Sequence, residues 1–166
     1  MQDHYNYVFD DINSIYQFTT KNNISYRVAF VKDETFSMIS SREIDDVFQL
    51  VVDKTSDLKE PLDLLVSKTI EHIISSFFRN ISNSLIYVCS GESDIALKRH
   101  KVFDRWYSRS LNKKNIVKFD TVIRIENLVI GNYEVYASYL IHMENNNYND
   151  LSKLFFQLED VLNSTK

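Results

Sequence analysis

The sequence predicts an α+β protein: a single, mostly antiparallel sheet with helices packed on it, in the element order ββββ-α-β-α-ββ-α. Three observations carry that prediction. Up to Val52, aromatic and aliphatic residues alternate with polar ones, the period of a strand with one covered face. From Pro61 to Phe78 the apolar positions return every three or four residues, the period of a helix lying on a core. Further on, Gly131-Asn132 stands between two apolar stretches, a two-residue hairpin signal.

Tyr5, Tyr7 and Phe9 alternate with polar residues, 10–13 reads as a turn, and Tyr16 with Phe18 resumes the alternation, which makes an aromatic hairpin. Ile24, Tyr26, Val28 and Phe30 form a third strand. Residues 32–35 are a turn leading into Phe36 and Met38, 40–46 a polar, acidic loop, and 47–52 a fourth strand. Pro61 suits the first turn of a helix, where its missing N–H costs nothing. The helix stripe is Leu62, Leu65, Val66, Thr69, Ile70, Ile73, Ile74, Phe77 and Phe78. Leu85 to Val88 is an unbroken apolar run ending in Cys89-Ser90-Gly91, so it reads as a central strand covered on both faces.

A helix then starts near Ser93. Ser90 and Ser93 are candidate caps, and Glu92 with Asp94 would meet the free N–H groups of its first turn. Those two acids argue against a phosphate cradle there. Residues 116–130 and 133–143 flank Gly131-Asn132 as strands joined by a type II′ turn. Asn residues in 145–149 cap a last helix with the stripe Leu151, Leu154, Phe155, Leu158 and Leu162. The first and last helices are expected on one face of the sheet.

At 166 residues and 44% hydrophobic content the chain can build one well-covered core, so 1–166 is expected to be a single domain. Two glycines and one proline leave no flexible linker and no glycine-rich loop. No apolar run approaches a membrane span and no basic leader precedes an apolar stretch, so a soluble, cytoplasmic protein without membrane contact is expected. The lone Cys89 makes no intrachain disulfide and fits a reducing compartment. His4, His72, His100 and His142 lack metal-ligand spacing, and no P-loop, dinucleotide fingerprint or nucleophile elbow occurs. No catalytic residue, metal or cofactor is therefore assigned, and binding is expected rather than catalysis.

The candidate site lies in 98–118. Eight cations there face Asp104 alone, a net of +7 in a chain whose formal charge is −4, which leaves −11 for the rest. Lys98, Lys101, Arg105 and Arg109 align along one side of the helix, although like charges four residues apart repel. On the other side Ile95, Ala96, Val102, Phe103 and Trp106 form an apolar arc with Arg99 at its centre, which demands a stacking or ionic partner for that arginine. The expected ligand-binding residues are Lys98, Arg99, Lys101, Arg105, Trp106, Arg109, Lys113 and Lys114. The expected partner is nucleic acid or an acidic protein surface.

A second reading is a protein-interaction module, of accessory or immunity type, using the aromatic N-terminal hairpin or an open sheet edge. Two halves, each of strands closed by a long helix, resemble Whirly-like and PUR-like single-strand binders in element order alone. A strand followed by Ser93-Asp94-Ile95-Ala96 on an aromatic helix is faintly similar to acetyltransferases of the GNAT type. The glycine-rich turn that would hold their coenzyme is missing, so an acyltransferase-like enzyme is a remote alternative.

The segments Tyr-Asn-Tyr-Val-Phe at 5–9, Tyr-Gln-Phe-Thr-Thr at 16–20, Ser-Phe-Phe at 76–78, Leu-Ile-Tyr-Val-Cys-Ser at 85–90 and Phe-Asp-Arg-Trp-Tyr at 103–107 together resemble an uncharacterised family of small bacterial proteins. The resemblance covers most of the chain. It implies a cytoplasmic bacterial protein with Arg105 and Trp106 in the family's most recognisable segment, and it transfers no activity.

Overall fold

The computed structural model describes residues 3–59, 61–90 and 93–164. Seven strands make one sheet: β1 (Tyr7–Asp10), β2 (Ile15–Thr19), β3 (Ser25–Lys32), β4 (Val47–Lys54), β5 (Ser84–Cys89), β6 (Ile116–Ile125) and β7 (Tyr133–His142), in the spatial order β1-β2-β3-β4-β5-β7-β6. Neighbours are antiparallel except β4 and β5, which run parallel over three positions. A parallel pair needs a crossover, and α2 (Leu64–Phe77) supplies it. The remaining helices are α1 (Thr35–Ile39), α3 (Ser93–Arg109) and α4 (Tyr148–Ser164), with a 3-10 turn at Leu111–Lys114.

Alternation along the strands sorts the apolar side chains into two cores. On one face Phe18, Val28, Leu50, Leu85 and Leu140 meet Ile70, Ile73 and Ile74 of α2 and Phe103 of α3. On the other, Val47, Ile86, Tyr139 and Ile141 meet Phe36 of α1 and Leu151, Phe155 and Leu158 of α4. The first and last long helices therefore lie on opposite faces, not on one. The reason is in the central strands: Leu85 and Ile86, like Leu140 and Ile141, are consecutive and buried, so both faces of the sheet need a cover. All strands belong to one sheet, with β1–β4 on one side of it and β5–β7 on the other. Phe155 is fully buried, with its ring 5.3 Å from that of Tyr139. Phe155→Ala is expected to cost about 3–5 kcal/mol by cavity formation, read as a lower urea midpoint at unchanged slope.

The aromatic hairpin forms as expected, with Asp10 accepting from the N–H groups of Ile12 and Asn13 at 3.0 and 3.2 Å. Its rings other than Phe9 serve the core. Tyr5 stacks on Phe18, Phe18 on Tyr26, and Phe30 on Phe77 of α2 at 4.1 Å. Val8, Phe9 and Ile12 are what the hairpin leaves exposed.

Three local expectations need correction. Residues 35–39 form α1, with Phe36 buried, rather than an extended lead into Met38. Helix α2 begins at Leu64, capped by Asp63, whose carboxylate accepts from Leu65 N at 2.9 Å, so Pro61 precedes the helix instead of opening it. Strands β6 and β7 pair up to Ile125 and Tyr133, so the connection is the longer loop 126–132, not a two-residue turn. Asn127 Oδ1 there takes the N–H groups of Val129 and Ile130 at 2.8 and 3.0 Å, and Gly131 at φ +83° reverses the chain where a side chain would strain it. Leu128, Val129 and Ile130 are consequently exposed at a loop tip instead of paired in a strand.

Candidate functional site

Helix α3 starts at Ser93, as expected. Gly91 and Glu92, invoked in the turn before it, lie outside the described residues. The stripe that meets the sheet is Ala96, His100, Phe103 and Tyr107, at spacings of four, three and four; Ala96 and Phe103 are buried and the other two half-buried. This corrects the position of Arg99. Counting His100 and Tyr107 into the buried face moves its centre away from Arg99. In the structure Arg99 is exposed at the flank of the helix. Its charge favours ionisation of Tyr87 and Cys89 beneath it, against burial, which pushes both groups up.

Two polar members of the buried stripe have visible roles. The Tyr107 hydroxyl donates to Ile116 O at 2.7 Å and so covers part of the β6 edge. His100 Nε2 lies 4.0 Å from Asp120. Asp120 also accepts from Ser138 Oγ at 2.6 Å and from Lys118 at 2.5 Å. Lys118 reaches Asp104 at 3.0 Å, and its side chain is only 3% exposed. The β6 strand points this lysine under α3 between two carboxylates, so it bolts helix to sheet. The basic segment thus ends at Lys114, not at Lys118.

The other cations behave differently. Lys98, Arg99, Lys101, Arg105, Arg109, Lys113 and Lys114 are all exposed. Among the described residues none of them has a carboxylate oxygen within 4.0 Å. Lys113 Nζ donates to Ser108 O at 2.8 Å, closing the end of the helix. Lys101, Arg105 and Arg109 follow one another at a rise of about 6 Å along the outer ridge of α3.

Beside that ridge α2 and α3 leave a groove. Leu62, Leu64 and Val66 form one wall, Val102 and Trp106 the other, and Lys68, Arg105 and Arg109 stand at its rim with Asp63 and Glu71. Nothing but period was available to the sequence here. Of the arc read on α3, Val102 and Trp106 line this groove, Trp106 while also packing on the core, and Ile95 is left exposed. Below Trp106 the cavity among Ile70, Ile74, Phe78, Phe103 and Tyr107 is small, about 30 Å³.

Other chemistry finds little support. Cys89 is buried, and burial pushes its thiol up, which opposes a thiolate nucleophile. His4 and His72 stack at 4.3 Å, with the Tyr7 hydroxyl 2.9 Å from His72 Nδ1. Among the described residues there is no group of three or more His, Cys, Asp or Glu side chains that could hold a metal ion. Among the same residues no helix is long and apolar enough to cross a membrane.

Fold and surface together define an α+β protein with helices on both faces of one mixed sheet and a cationic ridge on one covering helix. The chain belongs to DUF6169, a family of unknown function, whose model matches residues 63–157. Neither a curated protein nor a solved structure matches it. The matched span runs from the cap of α2 into α4 and so contains α3, its ridge and both helices of the groove. The segments 76–78, 85–90 and 103–107 fall inside it, while 5–9 and 16–20 precede it.

Proposed function

We propose that this chain is a non-catalytic binding protein that holds an anionic partner along α3 and the following 3-10 turn. Lys98, Arg99, Lys101, Arg105, Arg109, Lys113 and Lys114 supply the charge, and Trp106 supplies an apolar contact beside them. One observation carries the reading: these cations are exposed and uncompensated among the described residues, in a chain that is otherwise acidic. Each like-charge pair four residues apart costs a helix a few tenths of a kcal/mol, and a docked anion relieves that repulsion. A reducing cytoplasm suits the lone, buried Cys89.

Of the two anionic partners considered, an acidic protein surface has more support than nucleic acid. The ridge is bordered by aliphatic side chains, and the one indole beside it is half-buried, so a row of open rings on which bases could stack is lacking. Protein contact through the aromatic hairpin has less support, because Tyr5, Tyr7, Tyr16 and Phe18 pack on the core, while Val8, Phe9 and Ile12 stay exposed.

The test is a salt titration with labelled polyglutamate, a single-stranded oligonucleotide and a duplex. For at least one of them the logarithm of affinity is expected to fall linearly with the logarithm of salt concentration. Affinity that is flat in salt, or no binding to any of the three at low salt, would defeat the proposal.

A further inference from the structure

We infer that the groove between α2 and α3 seats an acidic amphipathic helix of a partner protein. This rests on the anionic-partner reading and names the partner's chemistry. Leu62 and Leu64 are 93% and 57% exposed, one on each side of the capping residue Asp63, and among the described residues no element covers them. They face Val102 and Trp106 across the groove. An aliphatic trough of this kind takes the apolar side of a helix, with anchors at i, i+3 or i+4, and i+7.

Charge complementarity selects an acidic helix. The rim carboxylates keep their charge but are turned to donors of their own chain: Asp63 accepts from Leu65 N at 2.9 Å and from the Tyr5 hydroxyl at 2.6 Å, and Glu71 accepts from Leu111 N at 3.2 Å, so three cations stand against two anions at the rim. The rim cations Lys68, Arg105 and Arg109 have no carboxylate within 4.0 Å among the described residues. Arg105 and Arg109 are separated by a rise of about 6 Å, which is also the rise between carboxylates at i and i+4 of a docked helix.

Two other occupants fit less well. The cavity under Trp106, about 30 Å³, admits a water or a methyl group but not an acyl chain or a ring. Strand addition at the long edge strand β6 is hindered at both ends. Tyr107 covers Ile116 O, Glu159 takes Arg124 N at 3.0 Å, and Asn163 donates to Arg124 O at 2.6 Å.

Trp106 is the chain's single tryptophan, so its emission reports on the groove directly. The probe is a synthetic peptide of about five helical turns, with leucines at i, i+3, i+4 and i+7 of each repeat and glutamates on both flanks. It is compared with a scramble of the same composition and with a single-stranded oligonucleotide of equal charge. The ordered peptide is expected to move Trp106 emission to shorter wavelength and to bind at least tenfold more tightly than the scramble. Leu64→Glu is expected to remove that advantage while leaving salt-sensitive binding of polyglutamate in place. Leu64 is exposed and sits in the first turn of α2, where a carboxylate suits the helix, so folding is not at stake; far-UV circular dichroism checks this. Equal binding of peptide and scramble, or indifference to Leu64→Glu, overturns the groove and leaves the ridge. An oligonucleotide that outcompetes the ordered peptide overturns the choice of a protein partner. Loss of all polyanion binding by the unmodified protein overturns the ridge itself.

Discussion

Replacing Lys101 and Arg105 together by glutamate is expected to weaken polyanion binding at least tenfold at about 50 mM salt, with the difference shrinking as salt rises. The two side chains sit one helical turn apart on the ridge and lack a carboxylate partner among the described residues, so their reversal breaks no internal ion pair seen there. If each makes one ionic contact, the slope of log affinity against log salt should fall by roughly two. Net charge changes as well, and a matched control separates that effect. Lys32→Glu with Arg42→Glu alters the charge equally at a distance, at the cost of the surface pairs Lys32–Asp45 and Arg42–Asp150, which contribute little to stability. The control should keep most of the slope. If both double variants lose affinity alike, the ridge has no special part in binding.

The second large effect is expected in alkali. Burial holds the Tyr139 phenol far above its ordinary range, and its hydroxyl has no hydrogen-bond partner among the described residues. Tyr87 is raised by burial first and then by the neighbouring Cys89, with Arg99 opposing. The unfolded chain ionises its tyrosines near pH 10, while the folded chain keeps these two neutral. The stability is therefore fully present below about pH 10 and falls as pH rises toward the folded values. The slope is about 1.4 kcal/mol per pH unit for Tyr139 and less for Tyr87, which is partly exposed and so screened. The Cys89 thiol, also raised by burial, acts with the same sign. Urea midpoints taken from pH 8.5 to about 11, together with phenolate absorbance, check this. The midpoint should drop and the absorbance should rise with unfolding, and Tyr139→Phe should flatten the curve. A midpoint independent of pH across that window would show that these phenols ionise without unfolding the protein.

Much of the molecule was legible in its amino-acid order. The aromatic hairpin, the long apolar strand at Leu85, the extent of α3 and the stripe of α4 all follow from periods that act over a few residues. So does the ridge, because a helix places Lys101, Arg105 and Arg109 on one line whatever it packs against. The site residues differ in how much more they needed. Lys113 and Lys114 are exposed as read, while Lys118 gave its charge to Asp104 and Asp120 once β6 turned it under α3.

The remainder was decided between elements far apart in the chain. Two arcs of α3 could have met the sheet, and the choice of Ala96, His100, Phe103 and Tyr107 over the arc through Arg99 was made by strands β5 and β7 beneath it. Opposite faces for α2 and α4 came from central strands apolar on both sides, and the loop 126–132 came from the register of β6 on β7. The groove exists only because α2 and α3, separated by a whole strand, stand side by side on one face. Backbone geometry sets period and direction within a few residues, so the sequence alone determined the elements and the line of cations. Which side of each element is buried depends on competition among distant partners for the same surface, and only the tertiary structure decides that.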